Sequence, residues 1–250
     1  MKTPNAVFNV ISCGALFKTL MLACFGMLSI TGIQAWAQSQ PMKIGIIGTG
    51  NIGGALARHW VNAGHEVLFS SRHPETLQAL AQELGSRARA GTPKEAAAFG
   101  EVVLVSVPYA ATPQIGADYA AELAGKVVLD TGNPFERRDG PMANEALQKG
   151  VGKASAEFLK GARLVRAYNC IPAAVLVGQA NRQPDRVAIP IASDDAAALE
   201  VAQRLVRDSG FDPVVIGNLE DSRLFELGRP LASGQMTAAE MQQKLKELKK

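Results

Sequence analysis

From Met42 onward, short runs of Val, Ile and Leu alternate with longer stretches whose apolar residues recur at helical spacing. The runs Lys43–Ile47, Val67–Ser70, Val102–Val107, Val127–Asp130, Leu164–Tyr168, Val187–Ala192 and Pro213–Ile216 predict strands, and Arg87–Ala90 is a candidate for one more. Several are almost uninterrupted aliphatics, the composition of strands buried on both faces of a parallel sheet. Between them, Ile52, Leu56 and Trp60 share one helical face, and Gly64 supplies a left-handed stop. Pro74 opens the next helix, which Gly85 closes. Thr92-Pro93-Lys94-Glu95 reads as a capping box with proline at the first helical position. Thr112-Pro113 starts a helix predicted to run to Gly125, and Asp194 to Ser209 is amphipathic on Leu199, Ala202 and Leu205. Thr237 to Glu240 caps a charged tail helix that extends to Lys250. Strands alternating with helices give an α/β fold, a doubly wound and mainly parallel sheet.

Ahead of this region the pattern changes. Residues 1–37 hold Lys2 and Lys18 and no acid, then the uncharged apolar run Thr19–Ile33, then Ala35-Trp36-Ala37. Basic, apolar, small-x-small is the order of a secretory leader, with cleavage expected after Ala37 and the protein exported, to a periplasm in a bacterial cell. Fifteen residues interrupted by Gly26, Ser29 and Gly32 fall short of the roughly 20 that span a bilayer, so no stable membrane span is expected after cleavage. Without its two lysines, 24 of the 26 basic side chains stand against 23 acidic ones. A nearly neutral chain without clustered Lys or Arg carries no nucleic-acid footprint. Cys13 and Cys24 lie in the leader, so Cys170 alone remains and no internal disulfide can form.

The densest chemical signal is Gly48-Thr49-Gly50-Asn51-Ile52-Gly53, a GxGxxG turn between a strand and a helix. In that setting Gly48 permits the tight turn, Gly50 lets backbone approach a pyrophosphate, and Gly53 lets helix and strand pack closely. The helix amino end then offers N–H groups to phosphate. This makes the fold Rossmann-type, with a dinucleotide-binding domain over residues 42–172 and a small C-terminal α/β extension over 173–250 completing the site. An NAD site usually ends its second strand with Asp or Glu on the ribose hydroxyls. Here the chain reads Phe69-Ser70-Ser71-Arg72-His73, and Glu66 stands too early. Ser71 and Arg72 suit a 2′-phosphate instead, the arginine through a charge-assisted fork, so the expected cofactor is NADP(H).

These motifs, with Val105-Ser106-Val107-Pro108-Tyr109, Val128 to Pro134, Ala167 to Ala174, Gly210 to Pro213 and Ser222-Arg223-Leu224, resemble the coenzyme F420-dependent NADP reductases over nearly the whole chain from Met42. The same nucleotide module is similar to the cytosolic part of six-transmembrane metalloreductases and, more distantly, to pyrroline-5-carboxylate reductases. The resemblance implies that Thr49 to Ile52 lie on the pyrophosphate and Ser71 with Arg72 on the 2′-phosphate. It also implies that Pro108 and Tyr109 flank the path from adenosine to nicotinamide, and that Asn133-Pro134 and Asn169 to Pro172 close around the nicotinamide. The implied activity is hydride transfer between NADPH and a flavin or deazaflavin acceptor. Two alternatives stand beside it: reduction of a small imine or carbonyl, and nucleotide binding without turnover. Members of the family are typically intracellular and begin near Met42. The leader is therefore an addition: the exported chain captures its nucleotide outside or serves another flavin or quinone there, or translation starts at Met42 and the protein is cytoplasmic.

Direct hydride transfer between stacked rings needs alignment and exclusion of water rather than an acid–base residue. No catalytic set is legible. His59, His65 and His73 have no metal-ligand spacing and read as surface or turn residues, so no metal is expected. Cys170 reads as a packed thiol with no base beside it, and Tyr109 is the one candidate proton donor for the imine alternative. Asp194 and Asp195 read as favouring the positive end of their helix. Oligomeric state, a homodimer included, stays open.

Overall fold

The computed structural model describes Met1, residues 40–232 and residues 234–250. The leader expected over residues 1–37 and its cleavage lie outside the described residues beyond Met1. In chain order the strands are β1 (Lys43–Ile47), β2 (Glu66–Ser70), β3 (Ala88–Gly91), β4 (Val102–Val105), β5 (Val127–Asp130), β6 (Arg163–Arg166), β7 (Ala188–Ala192) and β8 (Asp212–Gly217). The helices are α1 (Asn51–Asn62), α2 (Gln78–Leu84), α3 (Pro93–Phe99), α4 (Thr112–Asp118), α5 (Ala120–Leu123), α6 (Glu136–Asp139), α7 (Pro141–Lys149), α8 (Val151–Phe158), α9 (Ala173–Gly178), α10 (Ala196–Asp208) and α11 (Ala238–Leu248).

Among the described residues the strands form one sheet in the order β3-β2-β1-β4-β5-β6-β7-β8. Every neighbouring pair is parallel except β6 and β7, which meet antiparallel at Arg166 and Ala192. The first six strands thus follow the doubly wound order, and the chain reverses direction of travel between β1 and β4. Ligands bind at that reversal, beyond the carboxyl ends of the strands.

Side-chain alternation builds the two layers. Val102 and Leu104 face α1 and α10, packing with Leu56, Trp60, Leu205 and Val206. Val103 and Val105 face α3, α4 and α8, packing with Ala96, Ile115 and Leu159. Trp60 is fully buried, and its indole N–H donates to the Leu205 carbonyl at 2.9 Å, which locks α1 to α10. A smaller cluster joins Val214 and Ile216 of β8 to Met241 of α11.

Local signals account for most element ends. Thr92 and Glu95 form the reciprocal capping box at α3, and Thr237 with Glu240 does the same for α11. Asp195 caps α10 by accepting the Ala198 N–H, and its carboxylate also holds Arg163 of β6. Several expectations are corrected. The helix predicted from Thr112 to Gly125 breaks at Tyr119 (φ −121°, ψ 24°), which sends Tyr119 to a cavity rim while Leu123 enters the core. β4 ends two residues early, at Val105. β6 stops at Arg166, because Tyr168 adopts φ 59° and drives its ring between Trp60 and Ser209. No helix was expected over α6, α7, α8 or α9. The buried positions of α7 and α8 are mostly small residues, Ala143, Ala146, Gly152, Ala154 and Ser155, with Val151 the one larger side chain and Met142 and Phe158 packed beside them.

Candidate functional site

At the end of β1 the chain turns through Gly48, whose φ of +96° is in the left-handed region that glycine reaches without penalty. The turn is fixed to β2: the Gly48 and Thr49 N–H groups both donate to the Ser70 carbonyl, as does the Thr49 hydroxyl, at 3.0–3.2 Å. Ser70 in turn donates its hydroxyl to the Ile46 carbonyl. A Cβ at Gly48 would lie 2.3 Å from the Ser106 carbonyl oxygen, and one at Gly53 would lie 2.2 Å from the Gly48 carbonyl oxygen. Gly50 differs: a Cβ there meets nothing within 4 Å. Helix α1 starts with Gly50 as its cap, no side chain caps it, and its first turn has no acid. The positive end of a three-turn helix is therefore open toward the sheet's carboxyl edge, which fits a pyrophosphate. Asn51 is exposed there, whereas Ile52 turns its side chain into the core and offers only backbone.

A cavity of about 750 Å³ runs from this turn over the ends of β1, β2 and β4. Ser71, Arg72 and Pro108 line it. Pro93, Gln114, Asp118 and Tyr119 line it too. Pro93 opens α3, Gln114 and Asp118 belong to α4, and Tyr119 lies between α4 and α5, so only packing carries them to the Gly turn. Arg72 is exposed and the Ser71 hydroxyl accepts the His73 N–H at 2.9 Å. Asp118, a carboxylate on this wall, accepts the Gln114 side-chain amide at 2.6 Å, one turn away on the same helix α4. A second cavity of about 730 Å³ shares Thr49 and Gly50 with the first and is otherwise mostly apolar, walled by Leu77, Leu80, Ala173, Ala174 and Val177.

Tyr109 does not share the exposure of its neighbours. Its ring is fully buried against Phe158 and its hydroxyl meets Ser155 at 3.2 Å. Burial pushes the phenol up to about 12. Pro108, Ala110 and Ala111 reach the cavity in its place. Beyond β5 and β6, the Asn133 side chain donates to the Asn169 carbonyl at 2.6 Å, and the Asn169 amide donates to the Phe225 carbonyl at 3.1 Å. The Asn169 Oδ1 is buried without a partner. These asparagines, far apart in sequence, are brought together at the edge where β5 and β6 open.

The histidines occupy three different settings. His73 is exposed beside Glu75, and His59 contacts the Leu176 carbonyl at 2.8 Å. His65, expected at a surface turn, is buried because it joins two elements: it accepts the Met42 N–H and meets Asp208, each at 3.0 Å. Cys170 is buried and its thiol is pushed up to about 12 by that burial, so it stays protonated at neutral pH. Among the described residues no group of three or more His, Cys, Asp or Glu side chains is placed to hold a metal, and no helix is long and apolar enough to cross a membrane.

Comparison with known proteins bears on this geometry directly. Residues 43–134 match the family model described as NADP oxidoreductase coenzyme F420-dependent. The F420-dependent NADP reductase of Methanothermobacter thermautotrophicus is 32% identical over 204 residues, covering 76% of this chain and 87% of its own. Metalloreductase STEAP3 of Rattus norvegicus is 29% identical over 200 residues, 78% of this chain but 38% of that protein. Among solved structures, a putative F420-dependent NADP-reductase from Arthrobacter sp. FB24 superposes with a TM-score of 0.63 at 25% identity, covering 73% of this chain and 87% of that one. With an open Gly turn on a doubly wound sheet, and with that identity over most of both chains, the protein belongs to the family of coenzyme F420-dependent NADP oxidoreductases.

Proposed function

We propose that this oxidoreductase passes hydride between NADPH and a flavin-like acceptor, a deazaflavin of the coenzyme F420 type being the first candidate. The observation that carries the reading is the pairing of two cavities across Thr49 and Gly50, one ending at Ser71 and Arg72, the other mostly apolar but lined also by Asn51 and Arg58. The open amino end of α1 and the bare face of Gly50 would hold the pyrophosphate, and Ser71 with Arg72 the 2′-phosphate. Bound NADPH supplies the hydride from its dihydronicotinamide ring. The chain's own part is to orient that ring and keep water out. Asn133 and Asn169 would frame one edge, while Leu77, Leu80 and Val177 give the acceptor's flat ring system an apolar wall. Reduction of an imine has less support, since it calls for a proton donor and the Tyr109 phenol is locked in the core.

Anaerobic NADPH oxidation, followed with the deazaflavin F420 and with FMN as separate acceptors, tests the reading. Turnover with at least one acceptor is expected, with NADPH preferred over NADH by on the order of 10- to 100-fold, the worth of a hydrogen bond to a charged group. Equal use of NADH, or no turnover with either acceptor, overturns it.

A further inference from the structure

The last residues of β5 and β6, Asp130 and Arg166, are paired in register, and both are completely buried. Arg166 Nη1 donates to Asp130 Oδ2 at 2.7 Å and to the Asp130 carbonyl at 3.2 Å. The guanidinium is otherwise poorly served, since Nε and Nη2 are buried without partners. Such a pair is a poor device for stability, because well-packed apolar residues of similar volume usually hold a core equally well. One contact an apolar pair could not make points to its purpose. Asp130 Oδ1, the oxygen turned away from Arg166, accepts the Gly132 N–H at 2.8 Å. Gly132 is pressed onto this polar floor, where an added Cβ would lie 2.9 Å from the Tyr109 ring and 3.0 Å from Asp130 Oδ1. The next residue is Asn133, whose side chain reaches the Asn169 carbonyl. Asn169 follows Tyr168, a non-glycine residue held at φ 59°.

We propose that Asp130 is a positioning residue: its side-chain oxygen fixes the turn at Gly132 and the turn sets Asn133 and Asn169 at the nicotinamide end of the site, while Arg166 serves to neutralise the buried carboxylate, a need that vanishes when residue 130 is uncharged. The inference rests on the nucleotide reading given above. The pair touches neither the Gly turn nor Ser71 and Arg72, so it governs where the ring lies and not how tightly the phosphates bind.

Two double variants isolate the contact. D130N/R166M keeps an acceptor for the Gly132 N–H and D130L/R166M removes it, and neither leaves a buried charge. Both are measured by thermal melting, NADPH titration calorimetry, fluorescence of the bound dihydronicotinamide, and turnover with F420 or FMN. Both are expected to bind NADPH about as the parent does. D130N/R166M should keep the parent's bound-nucleotide emission and most of its turnover. D130L/R166M should lose on the order of 100-fold in turnover at saturating NADPH, the scale of an ångström's misplacement, and its bound nucleotide should emit like free NADPH. Equal turnover and emission in the two variants, or losses that follow their melting temperatures, overturn the proposal. Amide exchange in the unaltered protein gives a test that needs no variant: the Gly132 N–H should be protected like the strand amides, and exchange at loop rates contradicts the assignment. A parent that binds no NADPH overturns the nucleotide reading, and this inference with it.

Discussion

Gly50 and Arg72 are the residues at which one substitution separates binding from folding. Nothing stands within 4 Å of a Cβ at Gly50, whereas Gly48 and Gly53 have backbone oxygens within 2.3 Å and 2.2 Å. Gly50→Val should therefore melt close to the parent yet fail to bind NADPH in a calorimetric titration, because the side chain occupies the pyrophosphate's approach. Binding equal to the parent's would make the turn structural only. Arg72 is exposed and lies on the cavity wall, so its removal should cost little stability. Arg72→Ala should weaken NADPH by on the order of 10- to 100-fold, from about 1.5–3 kcal/mol for a hydrogen bond to a charged group. NADH, with no phosphate to lose, should be nearly unchanged. Added salt should weaken NADPH more in the parent than in the variant, since exposed charge pairs are screened. Equal losses for both nucleotides would reduce Arg72 to a support for its loop.

At the scale of elements, the start of β1 and the end of α10 meet on His65. Its Nδ1 accepts the Met42 N–H and its Nε2 faces Asp208, an arrangement that suits the neutral ring. Burial lowers its pKa from 6.5, outweighing the hydrogen bond and charge of Asp208, with Arg204 acting in the same direction as burial. The unfolded chain therefore takes up the proton more readily than the folded one. Stability from this contact is complete above pH 6.5 and is lost as pH falls from there through the folded-state pKa. Thermal melts from pH 8 to 5 should fall for the parent, and His65→Gln, lower at the alkaline end, should flatten the curve through that window. A parallel fall in both would remove His65 from the account. The neighbouring elements also show what a local pattern can carry. The two capping boxes were legible because each involves residues three apart. α7 and α8 are harder to read, because most of their buried positions are Ala, Gly or Ser and the larger residues beside them, Met142, Val151 and Phe158, are few and widely spaced.

For the whole molecule, the sequence by itself determined the alternation of strand and helix, the Gly turn and the absence of an acid after β2. Each is written within a few residues, in backbone freedom, in a cap or in a two-residue side-chain period. Those same features carried the family and the NADP-linked chemistry. The tertiary structure alone decided which distant residues share a space. It sends Pro93, Gln114 and Tyr119 to the cavity over the Gly turn while sealing Tyr109 into the core. It turns β7 and β8 against the direction of the first six strands, and it sets Asp130 beside Arg166 across 36 residues of chain. The physical reason is that burial and pairing belong to both partners at once. An aspartate ending one strand and an arginine ending the next are ordinary residues until parallel register puts them face to face, out of water, with the Gly132 N–H bonded to the aspartate.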